Sequence, residues 1–202
     1  MKNFLGYLKD VILKPGKAFE DLLEDPDRLK KSVKMFCFIG VIFAANLFGY
    51  YIFGLKSAMP IIVAIIPEKY FFLWCIFAGC PAIVFFFIMT GGTVQLFSEL
   101  NGGKGSFEDS FSLSTYSLSA PLLFYWIVEL SILVICIFTG IKKPAGFLLF
   151  YMTSGVMIAV AWSILLLIHA TEYLHRISRI KSFIIGSVAG TAFWLLTMVF
   201  MA

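Results

Sequence analysis

Charge is scarce in this sequence. Asp, Glu, Lys and Arg make up 14% of its 202 residues, whereas a soluble domain contains about 25%. Hydrophobic residues make up 60%, and the mean hydropathy is +0.94. Because so few polar residues are available to cover a water-facing surface, we expect one membrane domain and no separate soluble domain.

The sequence also lacks the motifs of the common catalytic and metal-binding classes. It contains no GxSxG nucleophile elbow, no HExxH zinc motif and no CxxC pair. The glycine-rich stretch 102–105 lacks the GxxxxGK[ST] spacing of a phosphate loop, and it predicts a turn followed by a helix that Ser106 caps. We therefore expect no catalytic residue, no metal site and no cofactor. The four cysteines are expected to be buried, reduced packing residues.

Five long apolar stretches follow residue 34. About 20 apolar residues in a helix cover the roughly 30 Å hydrocarbon core, and helices satisfy their own backbone groups there. The predicted fold class is therefore all-α: a bundle of five transmembrane helices over residues 35–202, preceded by a cytoplasmic, interfacial segment over residues 1–34. The predicted spans are 35–55, 70–98, 113–138, 147–169 and 182–201.

The positively charged residues lie between the spans rather than along a stripe, which argues against a nucleic-acid partner. Twelve of the 16 Lys and Arg residues fall in the N-terminal segment, the second-to-third loop and the fourth-to-fifth loop. The other four are Lys56, Lys69, Lys142 and Lys143. The positive-inside rule then predicts a cytoplasmic N-terminus and an outer C-terminus. The charges spread through residues 1–34 also predict that no cleavable signal peptide precedes the first span.

The N-terminal segment has two amphipathic stretches. Apolar residues recur near the helical period over residues 4–12, and Pro15 ends that pattern. A second short helix is predicted over residues 15–23, with Phe19 and Leu22 on its apolar side. We expect both helices to lie in the headgroup zone, with apolar residues in the lipid bilayer and lysines against anionic lipid headgroups. The alternative is a solvated tail.

Three of the polar residues inside the predicted spans are singled out: Asn46 in the first, Gln95 in the second and Glu129 in the third. A charged group costs about 2.5–3.5 kcal/mol at the centre of a membrane on insertion scales, so these residues form a candidate intramembrane polar site. Glu129 has two interpretations. It is either a neutral, structural carboxyl that bonds to Ser131 or a neighbouring threonine, or a group that binds a proton, an ion or a headgroup.

A second candidate site is a polar cluster at the cytoplasmic ends of the second and fourth spans. Glu99 ends the second span, and His169 and Glu172 end the fourth. His169, Glu172 and His175 lie three residues apart along one helix. This spacing would strain the chelation of one metal ion by all three side chains. The favoured interpretation is an interfacial charge cluster in which Glu172 supports Arg176. The alternative is a shared site for a cation or a lipid headgroup.

Small residues predict where helices approach closely. Ser182, Gly186 and Gly190 sit four apart in the fifth span and form a small-xxx-small face for helix packing. Their partner helix is either internal, which is favoured, or part of a second copy in a homo-oligomer. Gly79 and Pro81 predict a kink or a tilt in the second span, which is too long to cross the membrane upright.

Several short motifs follow one another in a specific order along the chain. They are ILKPGKAF at 12–19, GGKGSF at 102–107, Thr115-Tyr116, Ala120-Pro121, Trp162, and Ser178 with Lys181 and Ser182. In order, spacing and number of spans, this arrangement resembles the Yip-domain family, membrane proteins first described as interacting with Ypt/Rab GTPases. The resemblance covers residues from about 10 to 202.

The resemblance implies a non-enzymatic integral membrane protein that organises membranes or binds partner proteins or lipids. Similar eukaryotic proteins act in vesicle traffic, but they carry more than about 34 residues before the first span, which argues against a small GTPase as partner here. The compact form looks more like the bacterial and archaeal members and implies a prokaryotic cytoplasmic membrane. The alternative function is a small transporter or permeation protein, in which Glu129 and the other polar residues line a path.

Overall fold

The chain is helical through almost all of its described length. The structure, a computed structural model, describes residues 2–55, 67, 70–142 and 144–201, so Lys56, Lys69 and Lys143 of the predicted charge pattern lie outside it. The helices are α1 (Phe4–Leu13), α2 (Pro15–Leu23), α3 (Arg28–Ile52), α4 (Phe71–Trp74), α5 (Cys80–Leu100), α6 (Phe107–Thr139), α7 (Phe147–His175) and α8 (Arg179–Met201). A π-helical turn, Cys75–Gly79, joins α4 to α5.

Five stretches within the described residues are long and apolar enough to cross a membrane: α3, the continuous stretch Phe71–Leu100, α6, α7 and α8. The predicted all-α fold with five spans is therefore confirmed, and the protein is a multi-pass membrane protein. Three helices extend beyond their predicted spans at one end of the bundle. Helix α3 begins at Arg28, α6 begins at Phe107, and α7 ends at His175. Hydropathy detects only the part of a helix that lies in hydrocarbon, so the extensions of α3 and α7 were not predicted. The start of α6 at Phe107 agrees with the helix cap predicted at Ser106.

The irregularity predicted at Gly79 and Pro81 takes the form of the π-helical turn. A Cβ atom on Gly79 would lie 3.3 Å from the ring of Phe43, so α3 approaches the turn closely. Pro81, which has no backbone N–H, follows in the first turn of α5, directly after the π-helical turn. Such turns are a recognised cause of bends in long helices.

Helix α6 forms the centre of the bundle. Every residue from Ser110 to Leu122 is buried, and α6 packs against α3, α5 and α7. Small residues permit this packing: a Cβ atom on Gly91 of α5 would lie 2.9 Å from the Cα atom of Phe111. The outward faces of the other spans carry exposed apolar side chains and suit contact with lipid. Cys37 lies on such an exposed face of α3, unlike the buried position expected for it.

Helices α1 and α2 fold back as a hairpin onto one end of the bundle. They pack against each other and against α6 and α7. Phe19 and Leu22 of α2 are 0% exposed. The expectation that these two residues insert into lipid is therefore corrected: their apolar side packs against protein. We call this end, with the loop 101–106 and the turn 176–178, the hairpin end.

Candidate functional site

A buried hydrogen-bond network joins three helices at the hairpin end. Gln95 of α5 donates from Nε2 to the Glu99 carboxylate at 2.5 Å and to the Gly105 carbonyl at 2.6 Å. Its Oε1 atom accepts from the hydroxyl of Ser110 in α6 at 2.6 Å. Both ends of the Gln95 amide are thus satisfied, which a buried amide requires.

The imidazole of His175, the last residue of α7, completes this network. His175 is 1% exposed. Its Nδ1 atom accepts from the backbone N–H of Gly105 at 3.2 Å, and its Nε2 atom lies 3.1 Å from the Ser110 hydroxyl. Because Ser110 donates its only proton to Gln95, Nε2 must carry the proton and donate to Ser110. The bonds therefore assign a neutral imidazole with the proton on Nε2. We call Gln95, Glu99, Gly105, Ser110 and His175 the His175 network.

The glycine-rich loop is shaped to receive this imidazole. A Cβ atom on Gly103 would lie 2.9 Å from the Cβ atom of His175, and one on Gly105 would lie 2.6 Å from Cγ of Leu174. Side chains at these positions would push the end of α7 away from the loop. The glycines thus allow a close approach between loop and helix.

Helix α6 begins with the cap that the sequence predicts. The Ser106 hydroxyl accepts from the backbone N–H of Asp109 at 3.2 Å, and the Asp109 carboxylate reaches back to Ser106, which makes a capping box. Asp109 also accepts a hydrogen bond from Arg28 at 2.5 Å. This ion pair joins the first turns of α3 and α6 at the hairpin end.

A buried carboxylate holds the α1–α2 hairpin in place. Asp25 is 5% exposed. It accepts a hydrogen bond from the Tyr7 hydroxyl at 2.7 Å and forms an ion pair with Lys31 of α3. Burial acts to raise the pKa of Asp25, but the hydrogen bonds from Lys31 and Tyr7 outweigh it, and the pKa is lowered. Tyr7 also packs edge-on against Tyr116, with ring centroids 6.0 Å apart.

A cleft of about 810 Å³ opens at the hairpin end between α2 and the last turns of α7. We call it the α2–α7 cleft. Phe19, Leu23 and Leu174 supply apolar lining, and the side chains beside them carry both signs of charge. The acidic and basic lining residues are Glu20, Glu24, His169, Glu172, Arg176 and Arg179.

The predicted cytoplasmic-side cluster is divided between these two places. Glu99 bonds to Gln95 in the His175 network, whereas His169 and Glu172 line the α2–α7 cleft. Within the described residues, no group of three His, Cys, Asp or Glu side chains is arranged to hold a metal ion. His175, considered in the sequence only as a strained metal ligand, is the residue that joins α7 to the glycine-rich loop.

The predicted intramembrane residues are divided as well. The Glu129 carboxylate accepts from Tyr125, one turn earlier in α6, at 2.5 Å, rather than from Ser131 or a threonine. The Asn46 amide donates to the Trp126 carbonyl at 3.3 Å. Gln95 bonds instead to Ser110. Since α6 rises about 1.5 Å per residue, Ser110 and Glu129 lie about 28 Å apart along it.

The small residues of α8 face α7 of the same chain. A Cβ atom on Gly186 would lie 2.7 Å from the backbone nitrogen of Ile168, and one on Gly190 would lie 2.8 Å from Cγ1 of Ile164. Ser182 is also buried. Two glycines of the small-xxx-small face therefore provide close packing inside the protomer.

Comparison with known proteins places this architecture in a family. A model of the Yip1 domain matches residues 9–201, nearly the whole chain. The chain belongs to the Yip1 domain family. The resemblance drawn from the short motifs is confirmed, and the His175 network and the α2–α7 cleft both lie within the matched Yip1 domain. No curated protein and no solved structure gives a significant match to the chain.

Proposed function

We propose that this Yip1-domain protein is a non-enzymatic membrane organiser that binds a membrane component in the α2–α7 cleft. The component is a lipid or another membrane protein, and a role in membrane trafficking is one form that this activity can take. The observation that carries the proposal is the cleft itself. It has the volume for a headgroup or a short peptide segment and charges of both signs, and it lies beside membrane-crossing helices.

Both walls of the cleft are held by contacts within the fold, which supports a role in binding. Its α2 wall is held by the buried side chains of Phe19 and Leu22 and by the bonds of Asp25 to Tyr7 and Lys31. Its α7 wall is held by the bonds of His175 to the glycine-rich loop. A pre-formed site loses little conformational entropy when a partner binds.

We further propose that the hairpin end faces the cytoplasm. The twelve Lys and Arg residues of the N-terminal segment, the second-to-third loop and the fourth-to-fifth loop belong to this end. Contacts between its parts support the grouping: Arg28 bonds to Asp109, and Lys181 bonds to the Asn101 carbonyl at 3.3 Å. At the other end, Lys142 bonds to the Phe53 carbonyl. The positive-inside rule favours the cytoplasm for the richer end.

Photo-crosslinking tests the binding function. Benzoylphenylalanine replaces Tyr173, an exposed residue that lines the cleft, or Phe107, an exposed aromatic residue at the same end outside the cleft lining. After irradiation of native membranes, the proposal predicts a discrete adduct at position 173 that is weaker or absent at position 107. Glu172→Gln in the same chain should reduce that adduct. The same adducts at both positions, unaffected by Glu172→Gln, would contradict binding in the cleft.

A transport function is the second candidate, and Glu129 is the observation that favours it. Its carboxylate lies inside a membrane-crossing helix and bonds to Tyr125. Its neighbour Asn46 bonds to a backbone carbonyl of the same helix, and Gln95 belongs to the His175 network about 28 Å away along the helix axis. The hydrogen bond from Tyr125 supports a structural role for Glu129, and the distance to Gln95 argues against one polar path, so we favour the organiser.

A further inference from the structure

The α2–α7 cleft is lined by charged side chains of both signs. Its carboxylates come from Glu20 and Glu24 of α2 and Glu172 of α7, and its guanidinium groups come from Arg176 and Arg179 at the turn between α7 and α8. Within the part of the chain that the structure describes, none of the five forms an ion pair, since the ion pairs there join other residues. Both signs of charge are therefore available to a ligand.

A ligand that uses both signs of charge in this cleft carries an anionic group and a cationic group. Arginine side chains bind phosphate through paired N–H groups, which suits Arg176 and Arg179. Carboxylates accept hydrogen bonds from a primary ammonium group, which suits Glu20 and Glu24. A purely anionic headgroup would meet the repulsion of three carboxylates, and a quaternary ammonium group has no N–H to donate.

The position of the cleft indicates that this ligand comes from the bilayer. The cleft includes His169 on α7, and Leu165, one turn towards the membrane on the same helix, is 57% exposed. Ile180, next to Arg179, is 75% exposed. A lipid whose headgroup occupies the cleft can place its acyl chains along such apolar surface.

We propose, building on the function proposed above, that the α2–α7 cleft binds a phospholipid headgroup in which a phosphate is linked to a primary amine, as in phosphatidylethanolamine. Arg176 and Arg179 hold the phosphate. Glu20 and Glu24 of α2 hold the ammonium group. This assignment differs from the sequence-based expectation of anionic headgroups, because the acidic side chains of the cleft disfavour them.

Native mass spectrometry in detergent tests this preference. The purified protein is mixed with equal amounts of phosphatidylethanolamine, phosphatidylcholine and phosphatidylglycerol that carry identical acyl chains. The proposal predicts about a tenfold excess of the ethanolamine adduct over the choline adduct. This is the ratio expected when the charge-assisted hydrogen bonds from the ammonium group to the carboxylates are lost. Soluble phosphoethanolamine at the same concentration should bind far less, because it has no acyl chains. Equal binding of the soluble compound would show that the headgroup alone is the ligand.

Variants separate the two halves of the headgroup. The double variant Glu20→Gln, Glu24→Gln should bring ethanolamine and choline adducts to parity, whereas Arg179→Gln should lower both. The controls are Glu108→Gln and Lys30→Gln, two exposed charges outside the cleft lining, which should leave the ratio unchanged. Parity in the unaltered protein, a preference for phosphatidylglycerol, or a ratio that survives the double variant would overturn the proposal.

The two proposals fail in different ways. A discrete protein adduct at position 173, combined with no preference among lipids, would leave binding in the cleft standing and overturn the lipid assignment. Identical adducts at positions 173 and 107, combined with no lipid preference, would overturn both.

Discussion

The Nδ1 atom of His175 accepts a hydrogen bond from the backbone N–H of Gly105 at 3.2 Å. This hydrogen bond joins the end of α7 to the loop that precedes α6. It depends on the absence of a side chain at Gly105, because a Cβ atom there would lie 2.8 Å from Cε1 of His175. The close contact between this loop and the last turn of α7, which lines the α2–α7 cleft, therefore depends on a glycine in the loop.

Gly105→Ala should destabilise the fold by about 1–3 kcal/mol, the usual cost of overpacking. The measurement is the thermal unfolding midpoint in detergent. Gly40→Ala is the matched control, because a Cβ atom at Gly40 meets no atom within 4 Å. Alanine in that helix should leave the midpoint unchanged or raise it. Equal losses in both variants would contradict the close approach of loop and imidazole.

Gly186→Ala should lower the stability of the fold without changing the number of protein chains in the protein–detergent complex. The new Cβ atom would lie 2.7 Å from a backbone nitrogen of α7, which cannot rotate away. Unfolding midpoint and molar mass by light scattering give the two readouts. Val188→Ala, on an exposed position of α8, is the control and should change neither. A lower molar mass for Gly186→Ala with unchanged stability would instead assign this face to contact between copies.

The stability contributed by Asp25 should depend on pH. Because its folded-state pKa is lowered, the contribution is present above the unfolded-state pKa, about 4, and is lost as the pH falls through the folded-state pKa. Asp25→Asn should therefore cost stability at pH 7 and progressively less below pH 4. Tyr7→Phe, which removes one of the two side-chain donors to Asp25, should give a smaller effect of the same sign. A stability difference that is constant from pH 7 to pH 3 would contradict this role.

Reporter fusions test the orientation of the bundle. A reporter fused ahead of Met1 should be active on the cytoplasmic face, and one fused after Ala202 should be active on the outer face, because the hairpin end carries most of the positive charge. The loop 102–105 is a poor insertion site, since it packs against His175. Activity on the reversed faces in both fusions would refute the proposed orientation.

The spans could be predicted from the sequence because hydropathy and helix length are local properties. The capping of α6 by Ser106 is local too, and the structure contains it. The bounds of α3 and α7 were missed at the hairpin end, where polar residues continue a helix beyond the hydrocarbon. Burial of Phe19 against the bundle depends on contacts between α2 and α7, which an amphipathic pattern does not reveal.

The grouping of the polar residues depends on which helix ends meet. Gln95 and Glu99 are one turn apart, and their bond could be expected from a single helix. The meeting of Gln95 with Ser110 and His175 joins three helices, and spacing along one helix carries no information about it. The one signal in the sequence was the pair of glycines at 103 and 105, which indicates a close approach without naming the partner.

The choice of a binding function over transport across the membrane is the central claim, and Glu129→Gln in proteoliposomes tests that choice most directly. Glutamine keeps an oxygen that can accept from Tyr125, so the variant should fold with nearly unchanged stability, whereas Glu129→Leu leaves that hydroxyl unpaired and should cost about 1–3 kcal/mol. With a proton or cation gradient imposed, we expect the same basal leak for the unaltered protein and for Glu129→Gln. A reproducible flux through the unaltered protein that disappears in folded Glu129→Gln would contradict the account.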